Sequence, residues 1–244
     1  MINIWIYTMF LIASVIYCLI ALPVLMVLIP FATVTFRQKV LRYAILYYGQ
    51  AVIKFISVPF VKLSYIDQAP AEIIPGIFVC NHRSGSDPFL VSMINRNLVQ
   101  TVNYWPLKLP FFGFFARHGG YLSINALSAK ALLDKARLLL EQQVTIVSFP
   151  EGTRSTSNEM GQFHGGIFRV ALELKCPIYP LCIVGNEKIP DRRFKFHAGR
   201  INISKLPMIT YDDYQDMSAF KLKNHLREII LTATKEQDRK LVEC

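Results

Sequence analysis

The sequence predicts an α/β fold: a mixed, largely parallel sheet flanked by helices, preceded by an N-terminal hydrophobic helical segment that anchors the chain to a membrane. Two observations carry this expectation. Residues 1–36 contain no charged side chain, and from residue 77 onward short apolar runs alternate with stretches of helical periodicity. A length of 244 residues suits one α/β domain with an appendage better than two full domains. The division falls between residues 1–66, anchoring and interfacial helices, and residues 67–244, the α/β domain.

As a single helix the uncharged stretch would extend ~54 Å, against a hydrocarbon core of roughly 30 Å. A signal peptide is disfavoured, because the basic n-region is missing and the apolar run is too long. Pro23 and Pro30 divide the run into either a span with an exit segment or a re-entrant hairpin, and both readings stay open. The basic residues Arg37, Lys39, Arg42, Lys54 and Lys62 precede the first acid, Asp67. If the segment spans, they place that side in the cytoplasm. Leu41, Ala44, Ile45, Tyr48, Val52, Phe55 and Ile56 recur at helical spacing, with Arg42, Gln50 and Lys54 off the stripe. Such a helix either lies on an anionic lipid surface or packs on the following domain.

After a proline-bounded loop from Asp67 to Gly76, Ile77–Cys80 has the character of a buried strand. Asp87-Pro88 marks a helix start, with the aspartate as cap and proline at the first helical position. Ser128 opens a helix with Leu132, Leu133, Ala136 and Leu139 inward, leading into a strand over Val144–Phe149 that Pro150 stops. A helix from about Gly166 to Lys175 precedes a strand over Ile178–Val184. Near the C-terminus Leu222, Leu226, Ile229, Ile230 and Ala233 form an inner stripe, with Lys221, Lys223, Arg227 and Lys235 outside. Sites in such sheets lie beyond the carboxyl ends of the strands.

Hydrophobic residues make up 52% of the chain, the mean hydropathy is +0.32, the formal net charge is +10 and the pI is near 9.4. Nucleic acid is not expected as a partner: there is no zinc-ligand spacing, helix-turn-helix signal or arginine-rich tail, and much of the charge lies beside the apolar segment. Membrane lipids account for it more simply. The five cysteines, Cys18, Cys80, Cys176, Cys182 and Cys244, are odd in number and unpaired in spacing. They suit a reducing compartment and no structural zinc.

His82 and Asp87 would point about 140° apart on a continuous helix. With His82 in a loop after a strand and Asp87 at the helix cap, they can meet. The carboxylate then fixes the tautomer and raises the basicity of the opposite ring nitrogen, the base-and-orienter half of a triad without a serine nucleophile. A helix cap beside a loop histidine is the plain alternative for that spacing alone. No G-x-S-x-G elbow is present, which disfavours a serine hydrolase.

Four blocks occur in order: N-H-R-S-G-S-D-P-F, L-P-F-F-G-F-F-A-R-H-G-G, F-P-E-G-T-R-S and C-P-I-Y-P-L. Together they resemble the motif blocks of the glycerolipid acyltransferase family, which contains the bacterial 1-acyl-glycerol-3-phosphate acyltransferases. The resemblance covers roughly Phe78 to Val184, and the hydrophobic N-terminus is similar to this family's membrane-embedding helices.

The resemblance implies that His82 is the catalytic histidine, removing a proton from a lysolipid hydroxyl as it attacks an acyl thioester, and that Asp87 holds it. Transfer would be direct, with no metal and no cofactor, from acyl-CoA or acyl-carrier protein to a lysophospholipid, by default 1-acyl-glycerol-3-phosphate. Glu151, Gly152, Thr153 and Arg154 match the acceptor-binding block; physically, Arg154 suits a bidentate phosphate contact and the Gly152 turn offers backbone N–H groups. The fourth block, Pro177 to Pro180, either shapes the substrate cleft or simply starts a strand.

Two positions depart from the family pattern. Asn125 stands where a phosphate-contacting arginine is common, and Tyr104-Trp105-Pro106 replaces a lysine-rich stretch; Lys108, Arg117 and His118 are nearby substitutes for the missing charge. His164 occupies a place often held by lysine. These departures keep open another lysolipid or aminolipid as acceptor, and a non-catalytic lipid-binding protein is the competing class. The aromatics Trp105, Phe111, Phe112, Phe114 and Phe115 line an acyl path, meet the bilayer or pack in the core. The resemblance implies a catalytic domain on the cytoplasmic face of a bacterial inner membrane.

Overall fold

A computed structural model describes residues 2–56, 59–68, 74–94, 96–109, 112–154 and 159–242, with the side chains of 55 and 56 left aside. Phe111, Ser155 and Cys244, singled out above, lie outside the described residues. Helix α1 (Ile2–Leu28) is long and apolar enough to cross a membrane, and only Ile6 and Leu25 along it are buried. Pro23 lies inside α1 and does not divide it, since losing one backbone donor leaves the flanking turns to carry the helix. The chain turns at residues 29–32, around Pro30.

Helix α2 (Val34–Ala51) starts where the Thr33 side chain accepts from the N–H of Phe36. It runs back along α1: the Tyr17 hydroxyl donates to the carbonyl of Ala44, and the Ser14 and Tyr48 hydroxyls are 2.8 Å apart. A π-helical turn at Val52–Ile56 ends it. The two helices therefore form an antiparallel hairpin whose α2 limb packs on the domain. Arg42, expected off the apolar stripe, is instead 2% exposed. Its stem lies beside Gly119 and its Nε donates to the carbonyl of Gln38, because α2 is sandwiched between α1 and the domain.

Seven strands, counted among the described residues, form one sheet: β1 (Val61–Asp67), β2 (Ile77–Cys80), β3 (Leu98–Val102), β4 (Leu122–Ser123), β5 (Thr145–Ser148), β6 (Ile178–Val184) and β7 (Gly199–Lys205). Their order is β1-β7-β6-β2-β5-β3-β4, and every pairing is parallel except β6 with β7. The largely parallel sheet expected from the sequence is present. The domain boundary at 66/67 falls inside β1, whose residues from Val61 pair with β7 and so belong to the sheet.

The intervening helices are α3 (Asp87–Leu90), α4 (Phe112–Gly119), α5 (Ala129–Glu141), α6 (Gly166–Leu174), α7 (Tyr211–Tyr214) and α8 (Ala219–Val242). Every residue of β2, β5 and β6 is buried, as strands covered on both faces require. On one face Ile77, Ile146 and Ile178 pack against Ala136 of α5, Phe168 of α6 and Leu226 of α8. On the other, Phe78, Val147 and Leu181 meet Leu46 of α2, Leu90 of α3 and Ile53. Ser128 caps α5, accepting from the N–H of Ala131. Arg227, expected on the outer face of α8, turns inward and donates to the carbonyls of Met160 and Gly161 at 2.6 and 2.8 Å. The reason is that α8 runs along the segment that follows the third motif block.

The Cys80, Cys176 and Cys182 thiols are buried and unpaired, and burial raises all three, the last two to about 12. Leu226→Ala, which empties a fully buried site between α8 and the sheet, is expected to cost about 3 kcal/mol. A thermal melt of the detergent-solubilised variant checks this; an unchanged midpoint would show that α8 does not close the core.

Candidate active site

β2 ends at Cys80 in the middle of the sheet, and the next residue redirects the chain. The Asn81 side chain makes two bonds to the backbone of Ile183, donating to its carbonyl and accepting from its N–H, both at 2.8 Å. It thereby prolongs the β2–β6 pairing by one rung and releases His82 at the carboxyl ends of the strands. The backbone N–H of His82 donates to Oε1 of Glu151 at 2.7 Å, and Oε2 of the same carboxylate accepts from the N–H of Gly161 at 2.8 Å.

Asp87 is the first residue of α3 and fully buried. It does not cap that helix; the first helical N–H groups, of Phe89 and Leu90, donate instead to the carbonyl of Ser86. This corrects the expected cap. The carboxylate turns back on the preceding loop, where Oδ2 accepts from His82 Nδ1 at 2.7 Å and from the backbone N–H groups of Arg83 and Ser84 at 2.8 Å. Oδ1 accepts from the side-chain amide of Asn186. An ionised carboxylate only accepts, so the proton on His82 resides at Nδ1 and the Nε2 lone pair is free to act as a base. The ring leans on Phe149 with centroids 4.9 Å apart, and the side chain keeps 18% of its exposure.

The loop is fastened from outside as well. Arg83 donates to Glu187 and makes a two-point contact with Asp238 of α8 at 2.7 and 2.8 Å. Burial pulls the Arg83 guanidinium down, but the bonds and charges of Asp238 and Glu187 outweigh it and hold the group above its ordinary value. Asn186 reaches Asp87 because Gly185, at φ +82°, turns the chain out of β6. A Cβ there would fall 2.1 Å from the carbonyl oxygen of Arg200.

The third motif block forms the turn after β5. Gly152 has φ +72°, and the His164 ring lies over it, 3.2 Å from the position a Cβ would take. This turn forms one wall of a cavity of about 430 Å³, whose polar lining includes Asn103, Asn125, Ser148, Thr153 and His164. Asn125 donates to Asn103 at 3.1 Å, and Asn103 donates to the carbonyl of Gly152 at 3.0 Å. The segments on either side of the second block are thus joined to the third by a chain of amides. Arg154 is half-buried, with its guanidinium 5.9 Å from the Phe194 ring and a terminal nitrogen beside Gly85.

Of the residues expected in the site, His82, Asp87 and Glu151 share one hydrogen-bonded cluster, and Asn125, Gly152 and Thr153 share the cavity. Glu151 contributes to both, but its two oxygens each hold a backbone N–H. Lys108 is outside the cavity lining, over the Tyr104 ring at 4.7 Å. Arg117 and His118 are exposed on α4, and the His118 ring bonds the carbonyl of Phe114. Pro177 to Pro180 begin β6: the Pro177 carbonyl accepts from Ile77, and Ile178 and Tyr179 are buried. Trp105 and Phe114 are exposed, whereas Phe112 packs edge-on against Tyr121. Asn81, Asn186, Glu187, Arg227 and Asp238 support the site without having been singled out from the sequence for that role. Asn81 and Asn186 were the visible ones, as polar residues just past apolar strand runs; nothing local marks the others.

The family model described as Acyltransferase matches residues 61–184. A 1-acyl-sn-glycerol-3-phosphate acyltransferase of Escherichia coli strain K12 is 29% identical over 173 residues, covering 68% of this chain and 70% of the relative. One from Cocos nucifera is 26% identical, covering 63% of this chain, so the match spans about half, 51%, of that longer relative. The crystal structure of the 1-acyl-sn-glycerophosphate (LPA) acyltransferase from Thermotoga maritima superposes with a TM-score of 0.78 at 20% identity, covering 97% of this chain and 95% of that one. The fold is therefore shared with that enzyme. With a match across half of its length, from β1 to the end of β6, the chain belongs to the acyltransferase family.

Proposed function

We propose that the chain transfers a fatty acyl group from acyl-CoA or acyl-carrier protein to the free hydroxyl of a lysophospholipid, with 1-acyl-glycerol-3-phosphate as acceptor. The observation that carries this reading is the 2.7 Å bond from His82 Nδ1 to a buried carboxylate, on a ring whose other edge is accessible. Nε2 takes the hydroxyl proton as the oxygen attacks the thioester carbonyl carbon. The C–O bond forms, the C–S bond breaks, and the proton passes from Nε2 to the departing thiolate. Asp87 stabilises the imidazolium between these steps. Asn81 and Glu151 position the His82 backbone, and no metal or cofactor is needed. The names of the E. coli, coconut and Thermotoga relatives support the acceptor. We place the enzyme at a bacterial inner membrane through α1, with the catalytic domain, Arg37 and Lys39 on the cytoplasmic side and α1 dipping into that leaflet, since Asn3 and Tyr7 near its start also bond the catalytic domain.

One observation favours a second reading of the acceptor. Among the described residues, the cavity lining includes no lysine or arginine; its amides, hydroxyls and imidazole offer both donors and acceptors. Phosphate, which only accepts, would find its nearest permanent countercharge in Arg154, beyond the turn. A lysolipid or aminolipid with a less charged head group fits the same lining. Purified protein supplied with each thioester and a panel of acceptors separates the two. Consumption of 1-acyl-glycerol-3-phosphate with formation of the diacyl product is expected, without thioester hydrolysis when the acceptor is omitted. Product from other acceptors alone would establish the second reading, and product from none would overturn transfer.

Two substitutions extend the test. Asp87→Asn is expected to lower kcat by roughly 10²-fold or more with KM little changed, because a neutral amide no longer fixes the tautomer or stabilises the imidazolium. His164→Lys, adding a permanent charge at the cavity, is expected to lower the KM for 1-acyl-glycerol-3-phosphate severalfold while leaving kcat in place. Steady-state kinetics on mixed micelles reads both.

A further inference from the structure

The loop between β6 and β7 carries a group of residues that the reaction does not use. Lys188, Arg192, Arg193 and Lys195 are exposed on it, around Phe194, which is 59% exposed with φ +58°. The acid within the group does not pair with the side chains of Lys188, Arg193 or Lys195: the Asp191 carboxylate is turned onto the loop's own backbone, accepting from the N–H groups of Arg193 and Lys195 at 2.8 Å and facing His197 at 3.4 Å. Glu187, at the loop's start, is held by Arg83. The result is a compact turn that projects an aromatic ring among four cations.

This turn is fixed to the first two turns of α1. The Tyr7 hydroxyl donates to the carbonyl of Phe194, the N–H of Phe196 donates to the Asn3 side chain at 2.6 Å, and the Tyr7 and Phe196 rings meet edge to face at 5.6 Å. Beside these contacts α1 exposes Ile4 (74%), Trp5 (45%) and Leu11 (65%). An apolar helix, tryptophan and tyrosine at its end, and a basic turn bearing an exposed phenylalanine make up the composition that partitions into a lipid head-group layer. On its inner side the same Phe194 ring faces Arg154 at 5.9 Å.

From this continuity we infer that residues 188–197 dock on an anionic lipid surface, with Phe194 seated among the head groups and Lys188, Arg193 and Lys195 paired with lipid phosphates. The loop joins the membrane to the candidate site, since its aromatic tip faces the arginine of the third motif block and Glu187 at its start bonds Arg83. Anionic lipid would then order the loop against α1 and raise the rate on bilayers without changing the chemistry at His82. The inference rests on membrane attachment through α1, but not on which acceptor is used.

Phe194→Trp in a Trp5→Phe, Trp105→Phe background, bound to vesicles of brominated-chain phosphatidylcholine with phosphatidylglycerol, tests the seating. Quenching of the single remaining indole is expected. Vesicle binding with that indole unquenched would overturn the loop's role while leaving the α1 anchor intact; no vesicle binding at all would overturn both. A full-length Lys188→Glu, Arg193→Glu, Lys195→Glu variant tests the charge. It is expected to keep its rate in neutral detergent micelles and to lose at least about tenfold of the phosphatidylglycerol-stimulated rate on vesicles at low salt. Full stimulation of that variant would contradict the proposal. Should the triple variant not fold, the quenching result decides alone.

Discussion

A fully buried carboxylate is tolerated only when its lone pairs are occupied, and Asp87 meets that condition with four donors. They come from three places: the His82 ring after β2, the Arg83 and Ser84 backbone, and the Asn186 amide after β6. The hub forms because β2 and β6 are neighbours in the sheet and both end at the same edge. Asn81 strengthens that adjacency, and the start of α3 sets the carboxylate against the ring. Any change that parts β2 from β6 takes the Asn186 donor away from Asp87, and under the proposed reaction that makes the parallel sheet a component of the chemistry.

Around this hub the chain adds supports from farther away. Glu151 bridges the His82 N–H and Gly161, and Arg227 of α8 holds the Gly161 carbonyl. Asp238 on the same helix fixes Arg83. α8 therefore reaches the His82 loop by two routes, through Glu151 and through Arg83. Glu151, matched to the acceptor-binding block, holds two backbone N–H groups, while the amides of Asn103 and Asn125 and the His164 ring line the cavity that the proposed reaction assigns to the acceptor's head group. The helical hairpin at the N-terminus presents most of the exposed apolar surface and holds the basic turn at residues 188–197 against its first turns.

What was legible in the sequence follows from burial. β2, β5 and β6 are covered on both faces, so they read as unbroken apolar runs bounded by Asn81, Pro150 and Gly185. β1 and β7 lie at one side of the sheet, where Lys62, Ser64, Arg200 and Asn202 interrupt any run, and β4 is two residues held by its neighbour. The pair His82 and Asp87 was legible through spacing and the order of the blocks. The contacts of Arg83 with Asp238 and of Glu151 with Gly161 depend on how distant segments meet, which no local pattern records. Arg42 reads as a surface charge in the sequence because its burial depends on α4 and Tyr121 closing over it.

In the proposed mechanism His82 removes the proton from the attacking hydroxyl. The most direct measurement is kcat of His82→Ala with donor and acceptor both saturating, on protein whose thermal midpoint matches the parent. A fall of roughly 10³-fold is the expected result. Activity within about tenfold of the parent would contradict the account, since Asp87 and its donors would then be holding a residue the reaction does not need.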